Sequence, residues 1–308
     1  MIVRRLPLVV LSLVLIFAMG FTVVRANVLG MGERFDRLTG RIEAIVDPPP
    51  DRSTIPTVIV TPEPSPSESP TPDPTLAPSA SPTPSPTPLV RAPVDLAVVE
   101  DHAAVFASQL TDKDCAVAAT QMVLAILGLG DTSEAFQQGI KDRIGEWESW
   151  EDSHNGGWGP AAVSLALADY GAPGYEIRAY TSYADALRDS AIAITEMDKP
   201  VVMFPWWGAH TWVMTGFRAD ADPTLFPDAA IGGAYILDPW YPSVSSIWGP
   251  SDGPGNFEDL AELERNWPAF QGPPGYEQIG PGWSRPEGAY PERDGRFVVL
   301  VPTTPRDA

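Results

Sequence analysis

The chain has 308 residues, of which 35 are prolines, and a formal net charge of −20. Residues 1–93 are first apolar and then proline-rich, so residues 94–308 are the part that can bury a core as one globular domain. That part carries 12 basic and 32 acidic residues, a balance that repels phosphate backbones and makes nucleic-acid binding unexpected. One cysteine and three histidines exclude a disulfide framework, and we expect no metal site and no cofactor.

The amino terminus has the features of a membrane segment. Arg4 and Arg5 precede an uncharged, mostly apolar stretch over residues 6–24, which has about the length that a helix needs to span a bilayer. A basic start followed by an apolar run is also typical of a secretory signal peptide, and residues 24–26 form a small-residue cleavage site. Because the apolar part of a signal peptide is usually shorter, the sequence predicts a transmembrane anchor over residues 1–26, with a signal peptide as the open alternative.

Residues 27–47 form a juxtamembrane amphipathic segment. Apolar residues recur in and just before it at alternating steps of four and three, which is the spacing of a coiled-coil seam. The seam consists of Val24, Val28, Met31, Phe35, Leu38, Ile42 and Ile45. Three glycines in the segment weaken a helix, so a weak homodimer and an unpartnered amphipathic stub are both open interpretations.

Residues 48–93 hold 16 of the 35 prolines, spaced by Ser and Thr. Such a composition cannot form a packed core and favours an extended, disordered spacer. A spacer beside a single span suits the outside of the cell, although the arginines that follow the span would by their number favour the opposite orientation. We therefore expect a disordered linker that holds the domain outside the membrane, or a secreted protein if the amino terminus is cleaved.

From residue 94 onward the apolar residues follow helical and then strand periods. Residues 109–127 indicate a turn followed by a buried helix, with Asp114 at the N-cap position. Two more helices and four strands are predicted. The helices cover residues 160–170 and 183–197, and the strands cover residues 200–204, 210–217, 234–237 and 296–301. Helices followed by strands predict an α+β domain in which helices pack on a mostly antiparallel sheet.

The single cysteine, Cys115, falls at the start of the first predicted helix. The partial positive charge of a helix N-terminus favours a thiolate, which is the nucleophilic form of the side chain. A small buried hydrophobic residue is the alternative interpretation. His210 begins one predicted strand and Asp238 ends the next, so neighbouring strands would bring an imidazole beside a carboxylate. In such a triad the His accepts the thiol proton and later protonates the leaving group, while the Asp orients the imidazole.

Several stretches of the domain resemble, in the same order, the bacteriocin-processing peptidase-like domains that remove double-glycine leaders, a branch of the papain-like cysteine peptidases. The first is QLTDKDCAVAATQMVLAILG, in which Gln lies six residues before Cys as in that family. The others are GPAAVSLALADYG, KPVVMFPW followed by HTWVMTGF, and ILDPW. The resemblance covers about residues 105–240 and departs from the family at Ala116, where the family usually has Gly.

The resemblance implies a papain-like cysteine peptidase fold for residues 94–308 and a role for each of four residues. By this resemblance Cys115 is the nucleophile, His210 is the general base and acid, and Asp238 orients the imidazole. Gln109 would line the oxyanion hole together with the backbone N–H of Cys115, where the two stabilise the charge on the attacked carbonyl oxygen.

The leading functional hypothesis is a membrane-tethered, extracytoplasmic thiol hydrolase that cleaves peptide bonds in a peptide or protein substrate. Cleavage of cell-wall peptides is one alternative, because the spacer would suit a wall location. The other alternative is a non-catalytic module that binds a peptide in the same cleft. The tryptophans that flank His210, which are Trp206, Trp207 and Trp212, are open to two interpretations, as a substrate wall or as core packing.

Overall fold

The computed structural model describes residues 55–61, 89–148, 152, 158–270 and 292–306. The predicted anchor over residues 1–26, the amphipathic segment over residues 27–47 and most of the proline-rich tract lie outside these ranges. No helix within the described ranges is both long enough and apolar enough to cross a bilayer.

The described residues form both α-helices and a mostly antiparallel sheet, which confirms the predicted α+β class. The helices are α1 (Cys115–Ile126), α2 (Glu134–Lys141), α3 (Pro160–Asp169), α4 (Tyr183–Met197) and α5 (Leu260–Asn266). The strands are β1 (Thr57–Val60), β2 (Val94–Ala97), β3 (Tyr175–Tyr180), β4 (Val201–Met203), β5 (Trp212–Ala219), β6 (Ile231–Leu237), β7 (Val244–Ser245), β8 (Gly249–Pro250), β9 (Asn256–Asp259) and β10 (Phe297–Pro302).

One large sheet forms the centre of the domain. Its strands lie in the order β1, β3, β10, β4, β5, β6 and β9, and β2 pairs with the second half of β5. Each neighbouring pair is antiparallel except β1 and β3, which run parallel. The prediction of a mostly antiparallel sheet is therefore confirmed. Strands β7 and β8 form a separate two-stranded ribbon.

Helices cover both faces of the sheet. Helices α1 and α3 contribute to a buried core on one face, and α4 contributes to a second core on the other. Strand β10 supplies both cores, because Val298 and Leu300 belong to the first while Val299 and Val301 belong to the second. A strand that is buried on both faces is apolar at consecutive positions, which explains the unbroken run FVVLV.

The prediction of a disordered linker over residues 48–93 is wrong for residues 57–60, which form β1. This short run, TVIV, is β-branched throughout and pairs with residues 177–180 of β3. β-Branched residues favour a pleated surface, but four residues cannot form a strand without an existing sheet edge. The folded domain therefore includes residues that precede residue 94.

A buried ion pair connects β1 to the body of the domain. Arg293 Nη1 lies 2.7 Å from Asp152 Oδ1, and both side chains are almost fully buried. Arg293 Nε donates a hydrogen bond to Thr57 Oγ1 at 3.0 Å. The Asp152 carboxylate also accepts hydrogen bonds from the backbone N–H groups of Ala161 and Ala162 in the first turn of α3. These contacts join β1, α3 and the segment before β10.

The structure differs from the expected order of helices followed by strands. Strand β3 lies between α3 and α4 in the chain, and β2 precedes α1. The sequence of β3, YEIRAY, alternates between buried residues and half-buried ones, because Glu176 and Arg178 point away from the core and pair with each other. Helices α2 and α5 were also not predicted, because each is short.

Candidate active site

Cys115 is the first residue of α1 and lies at the edge of the core. The sequence of α1, CAVAATQMVLAI, is rich in strong helix formers, and every residue from Ala116 to Leu124 is buried. Cys115 is only partly buried, so the sulfur is not enclosed in the helix packing. The first N–H groups of a helix have no acceptor within the helix and are therefore available to stabilise negative charge at this position.

Asp114 occupies the N-cap position of α1, as predicted, but its side chain does not cap the helix. Its carboxylate instead accepts a hydrogen bond from Lys141 Nζ at 2.8 Å. Lys141 is the last residue of α2, a helix that was not predicted from the sequence. The ammonium group neutralises a buried carboxylate beside Cys115, and an unpaired carboxylate there would oppose negative charge on the sulfur.

His210 and Asp238 are brought together by the pairing of β5 with β6. His210 lies two residues before β5, and Asp238 directly follows β6. Because these strands are antiparallel, with Val213 opposite Leu237, the start of one lies beside the end of the other. His210 Nε2 lies 2.7 Å from Asp238 Oδ1. The Cys115 side chain lies near enough to His210 to contribute to the raised pKa of the imidazole, and Nδ1 is the ring nitrogen that the contact with Asp238 leaves available.

The charges around His210 favour its protonated form. Burial lowers the pKa of His210, but the Asp238 carboxylate and the Cys115 side chain outweigh it and raise the pKa to about 9. Burial raises the pKa of Asp238, yet the His210 charge and hydrogen bonds from His210, Ser251 and the Trp240 backbone lower it overall. Both directions describe an imidazolium held against a carboxylate in a site from which water is largely excluded.

Two tryptophan rings contact His210. The Trp206 ring stacks on the His210 ring, with centroids 3.9 Å apart and planes 17° apart. Trp240 meets His210 edge to face at 6.2 Å, and its backbone N–H donates to Asp238 Oδ1 at 2.9 Å.

Of the three tryptophans that flank His210 in the sequence, Trp207 is 41% exposed, whereas Trp206 and Trp212 are buried. Packing therefore explains two of the flanking tryptophans, and only Trp207 offers a free surface.

The turn that carries these tryptophans explains their opposite directions. Trp206 and Trp207 both have positive φ angles, 55° and 59°, which is uncommon for bulky residues and costs of order 1 kcal/mol or more for each. The turn directs the first ring onto His210 and leaves the second ring exposed, against Trp248.

Gln109 lies beside the turn that follows Asp238. Its backbone N–H donates to the carbonyl oxygen of Pro239 at 2.9 Å. Its side-chain Nε2 donates to the carbonyl oxygen of Thr111 at 2.8 Å, while Oε1 is buried and has no hydrogen-bond partner among the described residues. An amide nitrogen carries two hydrogens, so one N–H of Gln109 remains for a substrate oxygen.

Two buried glutamines hold the segment around Gln109, and the sequence analysis assigned neither of them a role. Gln137 Oε1 accepts from the backbone N–H of Leu110 at 2.9 Å, and Gln137 Nε2 donates to the carbonyl oxygen of Ser108 at 2.9 Å. Gln121 in α1 accepts a further hydrogen bond from Gln137 at 2.8 Å. Gln137 therefore fixes the backbone on both sides of Gln109. Gln121 was visible as a polar residue in an apolar helix, but its partner in α2 was not.

Searches with protein-family models and among curated proteins give no match for this chain. The assignment of a function therefore depends on the chemistry of the four residues that the fold assembles, which are Gln109, Cys115, His210 and Asp238.

Proposed function

We propose that the protein is a thiol hydrolase of the cysteine peptidase type, with Cys115 as nucleophile. One observation carries the proposal: a single buried imidazole, His210, contacts a carboxylate at 2.7 Å and lies near enough to the chain's only thiol for that side chain to raise its pKa. Both nitrogens of a buried imidazole need partners, and a carboxylate together with a thiol is the combination that a nucleophilic cysteine uses. Reactive thiols commonly combine a helix N-terminus with a neighbouring histidine.

The geometry supports the following sequence of steps. His210 holds the proton of the Cys115 thiol as an imidazolium, in accord with its raised pKa, and the thiolate sulfur of Cys115 attacks the carbonyl carbon of the substrate amide. The backbone N–H of Cys115 and the remaining N–H of Gln109 stabilise the negative charge on the carbonyl oxygen. His210 then protonates the leaving amine, which departs and leaves a thioester on Cys115. Water, deprotonated by His210, hydrolyses the thioester and restores the thiol.

Asp238 acts by holding the imidazole and not by accepting its proton. Its oxygen Oδ1 accepts hydrogen bonds from both His210 Nε2 and the Trp240 backbone, so the carboxylate is fixed at two points. A fixed carboxylate selects the ring orientation that presents Nδ1 to Cys115 and stabilises the imidazolium that forms during the reaction. The stacked Trp206 ring restricts the same imidazole from its face.

We propose further that the fold is a papain-like peptidase fold and that the domain acts outside the membrane on a peptide or protein substrate. An antiparallel sheet that carries His and Asp, next to a buried helix that begins with Cys, supports the fold. The apolar stretch over residues 6–24 supports membrane attachment. The folded unit in this proposal begins with β1 and so includes part of the proline-rich tract.

Alkylation of the single thiol tests the proposal without knowledge of the substrate. Iodoacetamide should modify Cys115 at neutral pH, and His210→Ala should lower the rate constant by about tenfold or more because the base is removed. His102→Ala is the matched control, since His102 is half-buried and hydrogen-bonds Thr215 instead. A rate constant that is the same in the wild type and in His210→Ala would instead support a binding module. Hydrolysis of a peptide library should be abolished by Cys115→Ala.

A further inference from the structure

Three carboxylates form a second cluster beside Asp238. They belong to Asp252 in the loop after β8, to Glu258 in β9 and to Glu262 in the first turn of α5. One oxygen from each carboxylate lies within 4.8 Å of the other two. The three side chains line the same small cavity as Asp238, so this cavity adjoins the proposed active site, whereas Cys115 does not line it.

Glu258 is the buried member of the cluster and points to a missing partner. The residue is 5% exposed, lines the cavity, and its Oε2 atom has no hydrogen-bond partner among the residues that the structure describes. Burying a carboxylate in this way is unfavourable unless a cation or a donor meets its oxygen.

Among the residues that the structure describes, the neighbouring side chains do not supply that cation. Arg265 Nη2 contacts Glu262 Oε1 at 2.6 Å, but the Arg265 side chain is 61% exposed and lies at the rim. Asn256 donates an amide hydrogen bond to Asp252 at 3.1 Å, which is a neutral contact. One exposed guanidinium cannot neutralise three carboxylates that face each other.

The size of the cavity and its oxygen donors decide which cation fits. The cavity has room for about one water-sized particle, which excludes an arginine or lysine side chain and admits a single ion. Carboxylate oxygens are the ligands of hard cations. One oxygen of each carboxylate lies within 4.8 Å of the other two, so a single ion can contact all three. Mg²⁺ demands near-ideal octahedral geometry and usually binds one or two carboxylates together with several waters, whereas Ca²⁺ accepts irregular sets of oxygen ligands. Three protein carboxylates therefore favour Ca²⁺.

We propose that Asp252, Glu258 and Glu262 bind one divalent cation of the size of Ca²⁺. The expectation of no metal site considered only His and Cys ligands, and this site uses neither. The site also adjoins the proposed active site, because Ser251, the neighbour of Asp252, lines the same cavity as Asp238. A cation at Asp252 fixes the loop that carries Ser251 and so limits movement of the cavity wall beside Asp238.

Terbium luminescence tests the site directly, since Tb³⁺ substitutes for Ca²⁺ and is excited by nearby indole rings. Trp206, Trp212 and Trp248 line the same cavity and serve as the donors. The full chain, freed of metal with a chelator that is then removed, should give Tb³⁺ emission on excitation of tryptophan. Ca²⁺ should displace the signal at about 10⁻⁴ to 10⁻³ M, the range of extracellular Ca²⁺ sites, and Mg²⁺ should displace it at least about tenfold less well.

Two ligand variants and one matched control separate this site from the rest of the acidic surface. Asp252→Asn and Glu258→Gln should each lower the emission at least about tenfold. Glu264→Gln, which removes one exposed charge from the same helix, should leave the emission unchanged, and so should Cys115→Ala. Absence of emission from the wild type, or equal emission from all variants, would overturn the proposal. Loss in Glu258→Gln alone would also overturn it, because the loop ligand would then play no part.

Discussion

Asp238→Asn should reverse the pH dependence that His210 contributes to stability. In the wild type the pKa of His210 is raised from 6.5 to about 9, and the side chain is 2% exposed. A group whose pKa rises on folding contributes stability that is fully present below its unfolded pKa and is lost as the pH rises through its folded pKa. The shift corresponds to roughly 3 kcal/mol, lost between about pH 6.5 and pH 9.

The Asn side chain keeps the shape of Asp and an oxygen that accepts from Trp240, but it removes the negative charge. Burial, the largest single influence on the pKa of His210, is then opposed only by the smaller contributions of Cys115, and we expect the pKa to fall below 6.5. In the variant the contribution of His210 is therefore unfavourable at acidic pH and disappears as the pH rises through 6.5. The free energy of unfolding of the wild type relative to the variant should be larger at pH 6 than at pH 10 by at least about 3 kcal/mol.

Urea unfolding at the two pH values measures this difference, with a chelator present so that cations do not contribute. Proton NMR of the histidine rings gives the second measurement, because the chain has three histidines and His210→Gln assigns the relevant signal. The His210 signal should titrate near pH 9 in the wild type and below pH 6.5 in Asp238→Asn. A wild-type signal that titrates near pH 6.5, or one that is unchanged by the substitution, would refute the electrostatic argument.

Four further predictions concern the oxyanion donor, its support and the edges of the fold. Gln109→Ala should lower kcat by about 10² to 10³ with little change in KM, and an unchanged kcat would remove Gln109 from the oxyanion hole. Gln137→Leu should also lower kcat, because Gln137 holds the backbone on both sides of Gln109, and it should lower the free energy of unfolding by about 1 to 3 kcal/mol. A loss of stability with unchanged kcat would show that Gln137 only supports the fold. Arg293→Met should lower the free energy of unfolding, measured with urea, by about 3 to 5 kcal/mol because it leaves the Asp152 carboxylate buried and without its ion-pair partner. The double variant with Asp152→Asn should recover part of this loss. Val58→Pro should lower the melting temperature by removing a backbone donor in β1, and an unchanged melting temperature would contradict the pairing with β3.

Local sequence patterns predicted the elements whose residues carry their own signal. The predicted helix over residues 183–197 has the same bounds as α4, and the one over residues 160–170 ends one residue beyond α3. In α3, Pro160 begins the helix and Gly171 follows its end with a φ angle of 93°, so both ends are encoded locally. Strand β10 was equally clear, since the five consecutive strand-forming residues FVVLV can be recognised without knowledge of their partner strands.

Elements that depend on a distant partner were not visible in the sequence. Strand β1 needs the free edge of β3, and α2 is fixed to α1 by the contact between Gln137 and Gln121. The prediction of Asp114 at the N-cap position is confirmed, but the pairing of its side chain with Lys141, which lies 27 residues away in the chain, was not predicted. Local helix propensity identifies a cap position, but it does not indicate whether the side chain there caps the helix or forms an ion pair with a side chain from another helix.

The sequence by itself determined which chemical groups the domain contains and their order in the chain: one thiol at the start of a helix, then one histidine and one aspartate at the ends of successive strands. Only the tertiary structure decided how these groups meet. The antiparallel register of β5 and β6 places His210 Nε2 against Asp238, and a turn with positive φ angles directs Trp206 onto the imidazole and Trp207 outward. These directions, and the gathering of Asp252, Glu258 and Glu262, depend on strand register and backbone angles, and residue type alone does not specify either.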